Sequence, residues 1–177
     1  MRDNTLYISD MILMIILQHR EEQEAREYLF YCVELAQKAT CKRSRCGSII
    51  VKDWDIIWAW INTPPAELET QRRCLCSKDS YHRKVTDKTC CIHAEQRAIM
   101  DALRKHPDKI INSRLYFLRL DEKGERSYAA NPYCTICSKM ALDVGIKEFV
   151  LWHKEWISVY STQEYNILSY AYQDSVL

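Results

Sequence analysis

The sequence predicts an α/β fold, a β-sheet whose faces are covered by helices, and three observations predict it. Apolar residues at helical spacing alternate along the chain with short β-branched runs, the pattern of an α/β layer architecture. Turn-forming residues separate these stretches at 53–55, 62–65, 106–107 and 131–132. No internal repeat or low-complexity linker divides the 177 residues, so a single domain with a sizeable core is expected over 1–177.

The elements follow in order. Residues 1–40 form an N-terminal helical segment, in which Ala25, Tyr28, Leu29, Cys32, Val33 and Ala36 recur at helical spacing between Glu21 and Ala39. Gly47 to Val51 and Ile56 to Ile61 read as two strands of a hairpin turning at Asp53-Trp54-Asp55. Asn62-Thr63-Pro64-Pro65 ends that pattern, and residues 66–90 are polar and Cys-rich, a long functional loop or a metal-binding insert. A helix begins near Cys91 and stops before His106-Pro107, with Ala98, Ile99, Ala102 and Leu103 on its buried side. Leu115 to Leu118 is a third strand. After Asn131-Pro132, Cys137, Met140, Ala141 and Val144 mark a helix closed by Gly145. Glu148 to Trp152 is a fourth strand, and residues 153–177 are a C-terminal extension with a helix from about Thr162 to Tyr172.

Composition narrows the function classes. Hydrophobic residues at 47% and charged residues at 28% are those of an ordinary globular protein. A net charge of +1 gives no whole-protein signal for nucleic acid or membrane. The longest apolar stretch, Met11 to Leu17, is far short of the ~20 residues of a membrane span. The expected compartment is the cytoplasm. Nine cysteines without a secretion signal favour metal ligation or reduced thiols over a disulfide framework.

The chemistry concentrates in two motifs, His93-Ala94-Glu95 and Cys134-Thr135-Ile136-Cys137. One His and two Cys supply three ligands of the kind tetrahedral zinc takes, with one position left open. Cys134 and Cys137, at i and i+3 of a helix start, face the same way and reach one ion. Glu95 is not needed as a ligand and is free to move protons.

On these motifs, with Gly47-Ser48-Ile49-Ile50-Val51-Lys52-Asp53, Asn62-Thr63-Pro64, His93-Ala94-Glu95-Gln96 and Pro132-Tyr133-Cys134-Thr135-Ile136-Cys137, the chain resembles the cytidine deaminase-like superfamily. Within it the similarity is to the deoxycytidylate (dCMP) deaminase branch, over roughly residues 40–152. The resemblance implies a three-layer α/β/α fold with a five-stranded mixed sheet, homo-oligomers and hydrolytic deamination of a cytosine nucleotide, dCMP to dUMP and ammonia. It assigns His93, Cys134 and Cys137 to a catalytic Zn2+, Glu95 to proton transfer, and Asn62 and the main chain of Ala94 to substrate. A pyrimidine nucleotide is the expected partner, its phosphate held by Lys or Arg from the loops. A nucleic-acid deaminase acting on single-stranded DNA or tRNA is the alternative, disfavoured by the near-neutral charge. A non-catalytic zinc assembly module is the second alternative, and it has no use for Glu95.

Two departures stand out. Tyr133 intervenes between Pro132 and Cys134, where the family has Pro directly before Cys. Trp54, Trp58 and Trp60 stand where such relatives tend to carry Gly, Trp156 lies in a loop-like stretch, and the chain has only 3 Gly. Either these tryptophans pack as strand aromatics, with Trp60 narrowing the pocket, or the source reads UGA as Gly. Several deaminases of the branch carry a second, structural zinc near the Cys-rich segment. Cys74, Cys76, His82 and Cys90, with Cys41 or Cys46 as substitutes, make one candidate ligand set for it, against reduced or buried cysteines; Cys91 falls in the same segment.

Overall fold

A computed structural model describes residues 14–85 and 91–172; Met11 to Leu13 of the apolar N-terminal stretch and Cys90 lie outside the described residues. In chain order the elements are β1 (Ile15–Ile16), α1 (His19–Lys38), β2 (Arg45–Lys52), β3 (Asp55–Ile61), α2 (Ala94–Lys105), α3 (Pro107–Ile110), β4 (Arg114–Leu120), β5 (Arg126–Ser127), α4 (Thr135–Asp143), β6 (Glu148–Trp152), β7 (Ile157–Ser161) and α5 (Thr162–Tyr170). The strands form one mixed sheet in the order β1-β7-β6-β4-β2-β3, with β5 paired to β4. Only β4 and β6 run parallel; the other pairings are antiparallel.

The sheet has seven strands among the described residues, not the expected five. Five are long. The two extra strands, β1 and β5, are two-residue pairings too short for any periodicity to reveal.

Alternation along the strands divides the core between the two sheet faces. Val150 and Trp152 of β6 pack with Ala25, Leu29, Cys32 and Ala36 of α1, while Phe149 and Leu151 pack with Ala98, Ile99 and Ala102 of α2 and Ala141 of α4. The result is the three-layer α/β/α arrangement, with α1 on one face and α2, α4 and α5 on the other. Gly47 permits the close approach of β2 to α1, since a Cβ there would stand 2.3 Å from the carbonyl oxygen of Cys32. Gly145, at φ +80°, ends α4 with the left-handed residue expected of it.

The Cys-rich segment has no strand among its described residues and is wound into single 3-10 turns at Pro65–Glu67, Glu69–Gln71 and Lys78–Ser80. No helix of the described residues is long and apolar enough to cross a membrane.

The hairpin between β2 and β3 turns through two left-handed residues, Asp53 at φ +50° and Trp54 at φ +70°. That turn favours Asn, Asp or Gly, and a bulky side chain there is strained by roughly 1–2 kcal/mol. Trp54 is 66% exposed, so its ring recovers little of this by burial. Tyr28 donates its hydroxyl to the Trp54 carbonyl at 2.7 Å, a contact that any residue at 54 retains. Trp54→Gly is therefore expected to raise Tm by about 2 °C, and Trp54→Ala, which keeps the Cβ, is not; differential scanning calorimetry of the two variants checks it.

Trp58 and Trp60 lie elsewhere. They pack against the α2 side of the core, Trp58 beneath Lys105 Nζ (4.0 Å to the ring centroid) and Trp60 beneath the Arg97 guanidinium (5.6 Å). Neither lines the main cavity, so the expected narrowing by Trp60 is not found.

Candidate active site

Two helix starts and the end of β3 converge on one point. His93 is the N-cap of α2 and Cys134 the N-cap of α4, one position before the first turns in which the spacing placed them, while Cys137 lies within the first turn of α4. Gln96 Oε1 accepts from the His93 backbone N–H at 3.0 Å, and Cys134 Sγ accepts from the Cys137 N–H at 3.4 Å. These caps fix both side chains at the positive ends of their helices, where thiolate is favoured.

The structure brings His93, Cys134 and Cys137 together. His93 Nδ1 stands 3.2 Å from Cys137 Sγ and 3.4 Å from Cys134 Sγ, and the two sulfurs are 2.9 Å apart. Hydrogen bonding from Cys137, against burial and with help from His93, lowers the Cys134 thiol to about 5, which favours its thiolate form. Cys137 is shifted upward by the neighbouring Cys134 sulfur and by burial. One imidazole nitrogen and two sulfurs, all within 4.8 Å of one another, form a donor set that fits zinc and falls one ligand short of a closed structural site.

Glu95, in the first turn of α2, is only 4% exposed. Burial raises its carboxyl to about 7, assisted by the Cys134 charge and opposed by His93. A carboxyl poised near neutrality can both accept and return a proton. Ala94 is fully buried at the start of the same helix, and Asn62, Ala94 and Glu95 all face one cavity of about 540 Å3.

Asn62 is also part of the scaffold. Its Oδ1 accepts from the Cys46 N–H at 2.8 Å and its Nδ2 donates to the Ser44 carbonyl at 2.7 Å. One acceptor lone pair and one N–H remain for a ligand. The bridge between Thr63 and Ile92 and the bond from Arg97 Nη2 to the Pro64 carbonyl (2.8 Å) lock the segment after Asn62 to the segment carrying His93.

Three cations that the motifs did not single out line the same cavity: Arg43, Lys78 and Arg119. Arg119 was legible in principle, because strand alternation puts it on the face of Leu115 and Phe117 at the end of β4. Tyr165 and Tyr172, from α5 and beyond it, carry no sequence signal for this position.

The remaining cysteines assemble differently from the set read in the sequence. Cys41, Cys74 and Cys91 are buried together, with Sγ atoms 3.6 Å apart in the 41–74 and 74–91 pairs. Cys76 is exposed, and neither it nor His82 joins this group. A hydrogen bond from Cys91 lowers Cys41 to about 5, and Arg72 Nη1 donates to Cys74 Sγ at 3.5 Å. These separations are far beyond the ~2.05 Å of a disulfide.

The family model described as the cytidine and deoxycytidylate deaminase zinc-binding region matches residues 22–153. No curated protein matches the chain. Among solved structures, the dCMP deaminase of the cyanophage S-TIM5 in complex with dCMP and dUMP is 24% identical, over 75% of this chain and 82% of that one, with a TM-score of 0.51. Its apo form is 22% identical over 72% and 80%, with a TM-score of 0.49. The cytidine deaminase of Burkholderia pseudomallei is 18% identical over 84% and 96%, with a TM-score of 0.48. The family match spans most of the chain and includes both motifs, and the chain belongs to the cytidine and deoxycytidylate deaminase family of zinc-dependent deaminases.

Proposed function

We propose that this deaminase hydrolyses the exocyclic amine of a cytosine nucleotide, converting dCMP to dUMP and ammonia. The observation that carries the reading is the placement of buried Glu95 beside the His93, Cys134 and Cys137 donor atoms at a cavity of about 540 Å3. In this reading those three residues hold the zinc, which when bound supplies Lewis acidity and lets water attack near neutral pH. Glu95 takes one proton from the attacking water and delivers it to cytosine N3, then carries the second proton from the new C4 hydroxyl to the departing amine. The main chain of Ala94 and the remaining valences of Asn62 hold the nucleotide. Arg43, Lys78 and Arg119 favour a phosphorylated substrate, because each offers a charge-assisted hydrogen bond to phosphate. The cyanophage enzyme of similar fold was solved with dCMP and dUMP.

The test is a substrate panel of dCMP, cytidine, cytosine and a cytosine-containing single-stranded DNA, followed by mass spectrometry on zinc-loaded protein. Deamination of dCMP well above the other three supports the reading. Activity confined to the DNA replaces it with nucleic-acid editing.

The Cys41, Cys74 and Cys91 group supports a second, structural zinc in the same reading, its three buried thiols supplying three of the four ligands such a site takes. Wild-type protein is then expected to bind two zinc ions per chain and Cys74→Ala one, measured by atomic emission. One ion in both proteins rejects the second zinc.

A further inference from the structure

The C-terminal helix α5 lies beyond residues 22–153 of the family match, yet it contributes to the cavity. Tyr165, 3% exposed, walls the cavity and stacks on Phe149 with ring centroids 4.2 Å apart. Ser138 of α4 ties α5 in place, its Oγ donating to Asn166 Oδ1 at 2.9 Å and lying 3.4 Å from Ser169 Oγ. So anchored, α5 is followed by Tyr172, whose ring lies 5.7 Å from that of Tyr133 at an interplanar angle of 53°. Both rings line the cavity and both are partly exposed, 38% for Tyr172 and 49% for Tyr133. Tyr133 is the residue that interrupts the motif, directly before Cys134. The pair thus joins a residue adjoining the candidate metal ligands to one from outside the matched region.

We propose that the Tyr133–Tyr172 pair determines specificity by closing one side of the cavity, so that a single nucleotide enters and a nucleotide within a strand does not. The inference rests on the small-nucleotide reading above and names the residues that enforce it. A cytosine inside a strand carries a phosphodiester on both sides and needs a groove that tracks the backbone past the site. An aromatic pair joining the α4 and α5 ends obstructs that path, and its rings offer faces and edges to a planar pyrimidine. A cavity of about 540 Å3 is of the size that encloses one small ligand.

The experiment compares wild type, Tyr172→Ala, Tyr133→Ala and Tyr172→Phe for turnover of dCMP and of a short single-stranded DNA carrying one cytosine. Calorimetric binding of the same two ligands is measured in parallel, and zinc content verifies that the site is intact. Tyr172→Ala is expected to raise KM for dCMP roughly tenfold with little change in kcat. Its preference for dCMP over the DNA falls by a similar factor, and Tyr172→Phe stays near wild type. An unchanged preference in both alanine variants, with zinc retained, overturns the proposal. Wild type acting on the DNA and not on dCMP overturns both the gate and the small-nucleotide reading. If wild type binds dCMP without turning it over, the assigned reaction fails while the calorimetric preference still decides the gate.

Discussion

Glu95→Gln lowers kcat for deamination by roughly 10^2–10^4-fold, the range contributed by a positioned general acid and base, and leaves the zinc content unchanged. The reason lies in the burial of Glu95 beside the donor atoms without its being one of them. Glutamine keeps the size and one acceptor oxygen, but its amide neither takes up nor releases a proton near neutral pH. KM changes little, because the lost interaction belongs to the transition state and not to the bound ground state. Turnover at the wild-type rate in this variant would remove Glu95 from the mechanism. A loss of zinc together with activity would recast it as a structural support of the metal centre.

Cys137→Ala is expected to have the second large effect: loss of the catalytic zinc and of measurable turnover. Cys137 is fully buried, with its sulfur 2.9 Å from Cys134 and 3.2 Å from His93 Nδ1. Removing it leaves two of three donors. Because the site is built by the fold, zinc binding also stabilises the fold; at a hundredfold excess over Kd it contributes about 2.7 kcal/mol. Chelation of the wild-type protein should therefore lower Tm by roughly 5–10 °C, and the variant should start low and respond less to chelator. His93→Ala, at a less buried ligand position, separates metal loss from core damage. It should show the same loss of zinc. Full zinc content in both variants would place the metal elsewhere.

The parts of the fold legible in the sequence were those with sustained periodicity. The helical spacing of Ala25, Leu29, Cys32 and Ala36 became the buried stripe of α1, and Cys134 and Cys137 meet because a helix start repeats its direction after three residues. β7 was missed because it is only five residues long, and the alternation of Ile157, Ser158 and Val159 is too brief to signal a strand whose positions 157–160 are all buried. α3 was hidden behind Pro107, which reads as a stop but opens a new turn instead.

At the site, local motifs were visible and long-range assemblies were not. Cys41, Cys74 and Cys91 come from three separate segments, and sequence spacing carries no information about such a meeting. The close Cys74-x-Cys76 spacing pointed to the wrong partner, since Cys76 faces solvent. Trp54 was flagged because it stands at a hairpin turn where relatives tend to carry Gly, and its φ of +70° is a conformation that favours Gly.

The most direct measurement is incubation of zinc-loaded protein with dCMP in water labelled with heavy oxygen, followed by mass spectrometry of the product. The proposed reaction predicts dUMP carrying one heavy oxygen at C4, with ammonia released in equal amount, and both formed at least roughly a hundredfold more slowly by Glu95→Gln. Unchanged dCMP after incubation with protein shown to hold zinc at His93, Cys134 and Cys137 would contradict it.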